Sequence, residues 1–402
     1  MITPDIRRLL WVRGLRGFGD GFVSLLLPLY LIMLGLTPFQ VGVIATATLL
    51  GSGLLTLAVG LHAYRFRYRT LLLAATALMT ATGLGFAVVG EFWPLLIIAV
   101  VGTLNPSSGD VSVFLPLEQA VLARVVTDRR RTAMFARYSL VGALAGAAGA
   151  LFAAVPELAA KALPVDPKVA LQAMFVLFAL LGLVSGLVYR GLPPRLAVET
   201  GAQPAPLRHS RRIVYTLAAL FSLDAFGGGF IVQSMLALWL FQKFELSIAV
   251  AGTIFFWTGV LTAFSYLVAV RIAHRIGLVN TMVFTHLPSS LMLLLVPFVP
   301  DLAWVVVLLL ARSALSQMDV PTRGSYVMAV VPPGERAAAA SITSVPRSLA
   351  SAVSPLLAGY LLGVSTFGWP LVIAGGLKIV YDLLLLATFR KVRPPEEAEA
   401  GK

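Results

Sequence analysis

Long apolar stretches recur from end to end of this chain, and they constrain its fold more than any single motif. A run of about 20 apolar residues crosses roughly 30 Å of hydrocarbon only as a helix, because backbone in lipid has no water to satisfy its hydrogen bonds. Twelve such runs are read, at 9–35, 39–63, 70–90, 93–122, 132–156, 168–190, 212–241, 246–270, 277–298, 302–330, 336–364 and 367–389. The fourth and tenth are the least regular. The expected class is an all-α polytopic membrane protein of about twelve transmembrane helices.

Charge is scarce and unevenly placed. Only 12% of the 402 residues are charged against 58% hydrophobic, where a soluble chain carries about 25% charged residues. The net charge of +13 raises the question of nucleic acid, and the distribution answers against it. Basic residues gather in alternate connections: Arg65, Arg67 and Arg69; Arg124 and Arg129 to Arg131; Arg190, Arg195, Arg208, Arg211 and Arg212; Arg271 and Arg275; Arg390, Lys391 and Arg393. By the positive-inside rule this places both termini and the central loop in the cytoplasm of a cell expected to carry the protein in its (bacterial inner) membrane, with anionic lipid as the natural neighbour. The start shows no small-residue cleavage site after its apolar core, so the first helix is expected to be an uncleaved anchor. The chain has no cysteine, and its four histidines (His62, His209, His274, His286) are scattered. No metal site, cofactor or enzyme activity is therefore expected. The glycine clusters lack a preceding strand and a Lys-Ser/Thr ending, so they do not suggest a phosphate loop.

The polar interval 191–211 divides the chain into an N-terminal six-helix bundle (1–190) and a C-terminal one (212–391), followed by a disordered tail (392–402). The halves resemble each other. RGFGDGF (16–22) aligns with DAFGGGF (224–230), GLHAYRFRYR (60–69) with VRIAHRIGLV (270–279), and VVTDRRRTA (125–133) with VVPPGERAA (330–338). Repeated halves are a plan used by alternating-access transporters, whose substrate site lies at mid-membrane between the repeats.

Two segments carry a family resemblance. PLYLIMLGLTPFQVGVI (28–44) looks like the exit from helix 1 into helix 2 of the major facilitator superfamily, and VPPGERAAAASITSVPRSLASAVSPLLAG (331–359) like its passage from helix 10 into helix 11. With twelve helices and a repeat, the chain resembles that superfamily over nearly its full length. The resemblance implies two pseudo-symmetric bundles, a small-molecule substrate and a functional monomer. The family's loop between helices 2 and 3 is only partly kept: Gly60 and Arg65 fit, but Tyr64 replaces the acidic residue, and in the second half His274 does so beside Arg275 and Gly277. These residues are the expected cytoplasmic gate. Gly142, Gly146 and Gly149 resemble the glycine motif of the superfamily's antiporters, with Ala147 where proline is usual, and Pro355 and Gly359 echo it in helix 11. Close helix packing is an equal reading of that spacing. Helix 4 lacks the arginine of the drug-proton antiporters and carries TLNPSSGD (103–110) instead.

A charge at a central membrane position costs roughly 2.5–3.5 kcal/mol on insertion scales, so such residues pair or face a water-filled cavity. Here they fall on the first, fourth, seventh and tenth helices, which line the transport pathway in the resembled family. Asp20, Asp319 and Asp224 are the candidate proton-coupling residues, in that order. Arg16, Asn105, Ser108, Asp110, Arg312, Ser316, Arg323 and Arg347 are candidates for the substrate cavity. Local neutralisation, Arg16 by Asp20 and Asp319 by Arg323, is the structural alternative, and Lys378 with Asp382 reads as an i,i+4 pair. Pro321 is expected to bend the tenth helix. Glu118 is expected to serve the gate or the interface. The sequence thus predicts a secondary transporter, with proton-driven export of small organic compounds first, uptake by symport or facilitation second, and a transporter-fold receptor or scaffold as a different class.

Overall fold

The computed structural model of the chain describes residues 3–62, 66–107, 112–125, 128–193, 207, 209–390 and 392. Tyr64, Arg65, Ser108 and Asp110, named above as site candidates, lie outside the described residues, as do most of the interval 191–211 and the tail.

The described residues form sixteen α-helices: α1 (Pro4–Met33), α2 (Pro38–His62), α3 (Tyr68–Val88), α4 (Phe92–Val101), α5 (Phe114–Val125), α6 (Asp128–Phe152), α7 (Val155–Ala162), α8 (Pro167–Arg190), α9 (Arg211–Gly229), α10 (Gln233–Phe244), α11 (Ile248–Ile276), α12 (Leu278–Leu295), α13 (Leu302–Leu315), α14 (Asp319–Val330), α15 (Arg336–Val364) and α16 (Trp369–Phe389). Taking together helices that continue across a short break, 11 are long and apolar enough to cross a membrane, and Phe92–Val101 is a shorter apolar helix. This is a multi-pass, all-helical membrane protein.

Three of the four spans expected to carry function are broken. The fourth stops at Gly102, where the backbone turns extended, and is non-helical through Asn105. Its polar groups are met inside protein, as backbone at membrane depth requires. The Thr103 amide donates to Thr82 Oγ1 at 3.3 Å. The Asn105 side chain accepts from both the amide (3.0 Å) and the hydroxyl (2.7 Å) of Ser107. The seventh span parts between Gly229 and Gln233, separating α9 from α10. The tenth parts at 316–318, ahead of Pro321. The break falls where the proline acts: with no N–H, Pro321 cannot bond the Gln317 carbonyl, and its ring crowds that group. Pro321 lies in the first turn of α14, where a missing amide hydrogen costs no helical bond.

By contacts the chain forms two compact units, residues 1–200 with 232–259 and residues 201–231 with 260–402. In the first unit α1 packs on α6 and α8, and α3 packs on α8. Glycines set the α1–α6 distance: a Cβ on Gly17 would collide with the Gly142 backbone, one on Gly21 with the Gly146 carbonyl, and one on Gly149 with the Phe18 carbonyl. Gly142, Gly146 and Gly149 thus form the seam that lets two backbones meet.

In the second unit α9 packs on α15 and α16, and α12 on α16. Ser354 donates to the Phe226 carbonyl at 2.6 Å, beside Gly229, whose added Cβ would strike the Ser351 carbonyl. Pro355 and Gly359 are buried on the same helix, α15. The start of α9 is held by a distant carboxylate: Glu335 accepts from the amides of His209 (3.0 Å) and Ser210 (3.1 Å), an N-cap supplied from outside the helix.

The glycine seam gives a direct test. Gly21→Ala is expected to lower stability by about 1–3 kcal/mol through overpacking, whereas Gly376→Ala, whose Cβ would meet nothing within 4 Å, is expected to leave it unchanged or raise it by up to about 1 kcal/mol. Thermal unfolding of the two detergent-purified variants measures both, and equal melting temperatures would contradict the seam.

Candidate functional site

Each unit has one buried ionic network. In the first, α1 presents Arg13, Arg16 and Asp20 along one side, as their spacing of three and four dictates; all three are buried. Arg16 does not turn to Asp20. Its guanidinium is ion-paired with Glu118 of α5, which is fully buried. Glu118 is completed by two phenols, accepting from Tyr138 of α6 and from Tyr189 of α8, the latter at 2.5 Å. Phe114 lies against the Arg16 guanidinium at 4.1 Å, and Ser112 accepts from it at 3.3 Å. One carboxylate thereby ties α1, α5, α6 and α8 together. Glu118, expected at a gate or an interface, is buried among four helices of the unit.

In the second unit Asp224 of α9 takes the central place. Its Oδ1 accepts from Lys378 Nζ of α16 at 2.7 Å, and its Oδ2 from Arg323 of α14 at 3.0 Å. Arg323 also pairs with Asp319, one turn earlier on α14. His286 of α12 has Nε2 at 3.6 Å from Asp224 and Nδ1 at 2.9 Å from Asp382 of α16. Lys378 and Asp382 are thus not paired with each other; each reaches across to another helix.

The repeat explains the correspondence between the two networks. Arg16 stands at the register of Asp224 in the first aligned segment. In the aligned segments that begin at Val125 and Val330, counting back seven residues sets Glu118 opposite Arg323. The buried pair Arg16–Glu118 of one half is therefore the pair Asp224–Arg323 of the other with its charges exchanged.

The remaining candidates distribute as follows. Asn105 is buried and lies near the Asp20 carboxylate. Ser316 is buried at the end of α13, with its amide on the Arg312 carbonyl at 2.8 Å. Arg312 is half-buried and within electrostatic reach of Asp224. Arg347 is half-buried on α15. His274 and Arg275 are exposed in the last turn of α11, and Gly277 follows with φ 86°, a positive value that favours glycine. Among the described residues no group of three His, Cys, Asp or Glu could hold a metal ion.

The comparisons with known proteins agree with this architecture. Residues 9–241 and, overlapping them, 217–402 each match the Major Facilitator Superfamily. The chain belongs to that superfamily. It is a membrane transporter, and the double match reflects its internal repeat. It is similar to an uncharacterized membrane protein of Saccharomyces cerevisiae, with 24% identity over 96% of this chain and 94% of the relative. Among solved structures it is similar to a mutant of the nucleoside transporter NupG, with a TM-score of 0.77, 13% identity, and coverage of 96% of this chain and 100% of that one. It is also similar to a bacterial homologue of the iron transporter ferroportin in an inward-facing state, with a TM-score of 0.73, 14% identity, and coverage of 96% and 99%. At such identities the structural likeness establishes the fold and leaves the substrate open.

Tyr138 and Tyr189 escaped the sequence reading, and neither Glu118 nor His286 was placed among the site candidates. Glu118 had a signal, its register opposite Arg323. The others had none, because a tyrosine or histidine on an apolar helix is compatible with simple packing. The reversed pair predicts non-additive energetics: Arg16→Gln alone leaves Glu118 buried without its cation and is expected to cost about 3–5 kcal/mol, while adding Glu118→Gln is expected to recover a large part of that loss. Thermal unfolding of the two singles and the double supplies the cycle, and simple additivity would show that the pair carries no coupling.

Proposed function

We propose that the protein is a proton-coupled exporter of small organic compounds, exchanging its substrate for protons through Asp20. The observation that carries this reading is the difference between Asp20 and the other two candidate carboxylates. Asp224 is held by Lys378 and Arg323, and Asp319 by Arg323. Arg16, the nearest cation in sequence to Asp20, is committed to Glu118. Among the described residues no ion pair engages Asp20, which is buried beside Asn105 at the break in the fourth span.

A carboxylate held by two cations must break those pairs before it takes a proton, and among the described residues Asp20 has none to break. The same site can be matched by a proton or by a donor group of the substrate, not by both at once. Competition for one carboxylate produces exchange, which is the logic of an antiporter. Asn105, Ser108 and Asp110 on the broken fourth span, with Arg312, Ser316, Arg323 and Arg347 in the C-terminal half, are assigned to the substrate pathway, and Tyr64, Arg65, His274 and Arg275 to the cytoplasmic gate. The basic residues in alternate connections support cytoplasmic termini, with the monomer as the working unit.

A thermal-shift screen of a metabolite and drug library against wild type identifies a ligand by the stabilisation it confers. With that ligand in proteoliposomes, Asp20→Asn is expected to abolish pH-gradient-driven transport while ligand binding stays measurable. Gradients of both signs are imposed: export requires protons to enter against the substrate, whereas symport requires them to travel with it. Undiminished gradient-driven transport in Asp20→Asn would remove Asp20 from the mechanism.

A further inference from the structure

The His286 cluster lies on the seam of α12 with α16, where helix packing by itself calls for no ionisable group. The first unit demonstrates this in its own seam of α3 with α8. There the close approaches are made by Gly83 against Phe175 and Ala179, Gly182 against Met79 and Thr80, and Gly186 against Thr76. The second unit places His286, Lys378 and Asp382 in its seam, all buried.

His286 stands between two carboxylates. Nδ1 faces both oxygens of Asp382, at 2.9 and 3.0 Å, and Nε2 faces Asp224 at 3.6 Å. A neutral imidazole carries one N–H and can donate to only one of them, whereas an imidazolium donates to both. The geometry points to His286 as a proton-binding site: we propose that this ring takes up a proton from water and returns it during the working cycle, with Asp224 and Asp382 as the two acceptors that hold it. Uptake forms one N–H bond and changes the ring from neutral to +1, and release to water reverses both.

The surroundings decide whether such a proton can leave. From α16 the ring is faced by Lys378, Asp382 and Tyr381, whose ring centroid is 5.9 Å away edge-on. From α9 it is faced by Asp224, and beyond Asp224 stand Arg323 and Asp319 of α14 and Arg312 of α13. Three carboxylates thus meet three basic side chains, and the set is balanced before the imidazole adds its charge. The ring thus stands between two acceptors, inside a set whose described charges balance. Held, the proton joins α9, α12 and α16 through one ring; lost, it leaves Asp224 to Lys378 and Arg323. Asp224 is seven residues before Ile231, where the chain leaves the second unit at the α9–α10 break.

The role in the transport cycle rests on the proton-coupled reading, but the site does not depend on Asp20, and the test separates the two. The chain has only four histidines, so replacing His62, His209 and His274 by Gln leaves His286 as the sole imidazole. Nitrogen-15 NMR of the labelled ring in detergent micelles then reports its protonation across a pH titration.

The expected result is a ring protonated on both nitrogens at the acid end and on one at the alkaline end. Asp382→Asn is expected to displace the transition by about one pH unit or more. The transition is expected to persist in an Asp20→Asn background, whatever that substitution does to transport. A ring fixed in one protonation state throughout, or a transition indifferent to Asp382→Asn, overturns the proposal and makes His286 a packing residue. Should the triple variant fail to fold, the single variant His62→Gln gives the same answer. A water-soluble relaxation agent suppresses the exposed rings of His209 and His274 and spares the buried one.

Discussion

The interaction on which the rest of this protein depends is a buried ion pair that occurs twice with opposite polarity. Arg16 with Glu118 in one half and Asp224 with Arg323 in the other each fasten an opening helix of the repeat to a helix beyond a break. A buried charge without its partner destabilises by several kcal/mol, so each pair fixes where α5 or α14 resumes after the chain has left helical geometry. The breaks can then exist at membrane depth, because the helices on both sides are held independently of them. Exchanging the two charges preserves the electrostatics of the pair while leaving different residues around it. The first pair is closed by two tyrosines, the second by a lysine, an aspartate and a histidine.

Both networks are closed within their own unit. Glu118 gathers helices of the first unit alone, and Asp224 gathers helices of the second alone. For a transporter built from repeats this has a mechanical meaning. Alternating access by largely rigid movement of one repeat against the other is cheapest when the strongest interactions stay intact inside each repeat. The glycine seam adds to this rigidity: α1 and α6 meet backbone to backbone at Gly17, Gly21 and Gly149, with no room for a side chain to reposition. Among the described residues Asp20 stands outside the ion pairs of the first unit, which is why the proposed exchange site falls there.

Much of the architecture was legible because lipid leaves the backbone few choices. The spans, the internal repeat, the irregular fourth and tenth helices and the Asn105–Ser107 turn all follow from apolar run length, register and turn chemistry, which are local properties. The glycine spacing in 142–149 was legible too, although only the neighbouring α1 shows what the glycines make room for. Of three local pairings, Asp319 with Arg323 holds, while Arg16 with Asp20 and Lys378 with Asp382 fail. The structure instead pairs Arg16, Lys378 and Asp382 with partners on other helices. Where low dielectric makes every charge expensive, a side chain takes the partner with the best geometry, and sequence proximity gives that partner little advantage.

The sequence by itself determined that the chain crosses the membrane many times, that its halves repeat, and that charges sit on the helices opening each three-helix segment. Those facts depend on composition and period, which a linear chain displays. Only the tertiary structure decided which charges meet. It made Glu118 the partner of Arg16, put His286 between Asp224 and Asp382, and left Asp20 beside Asn105. Partner choice in a buried network depends on angstrom-scale distances between helices far apart in the chain, and no one-dimensional pattern records them.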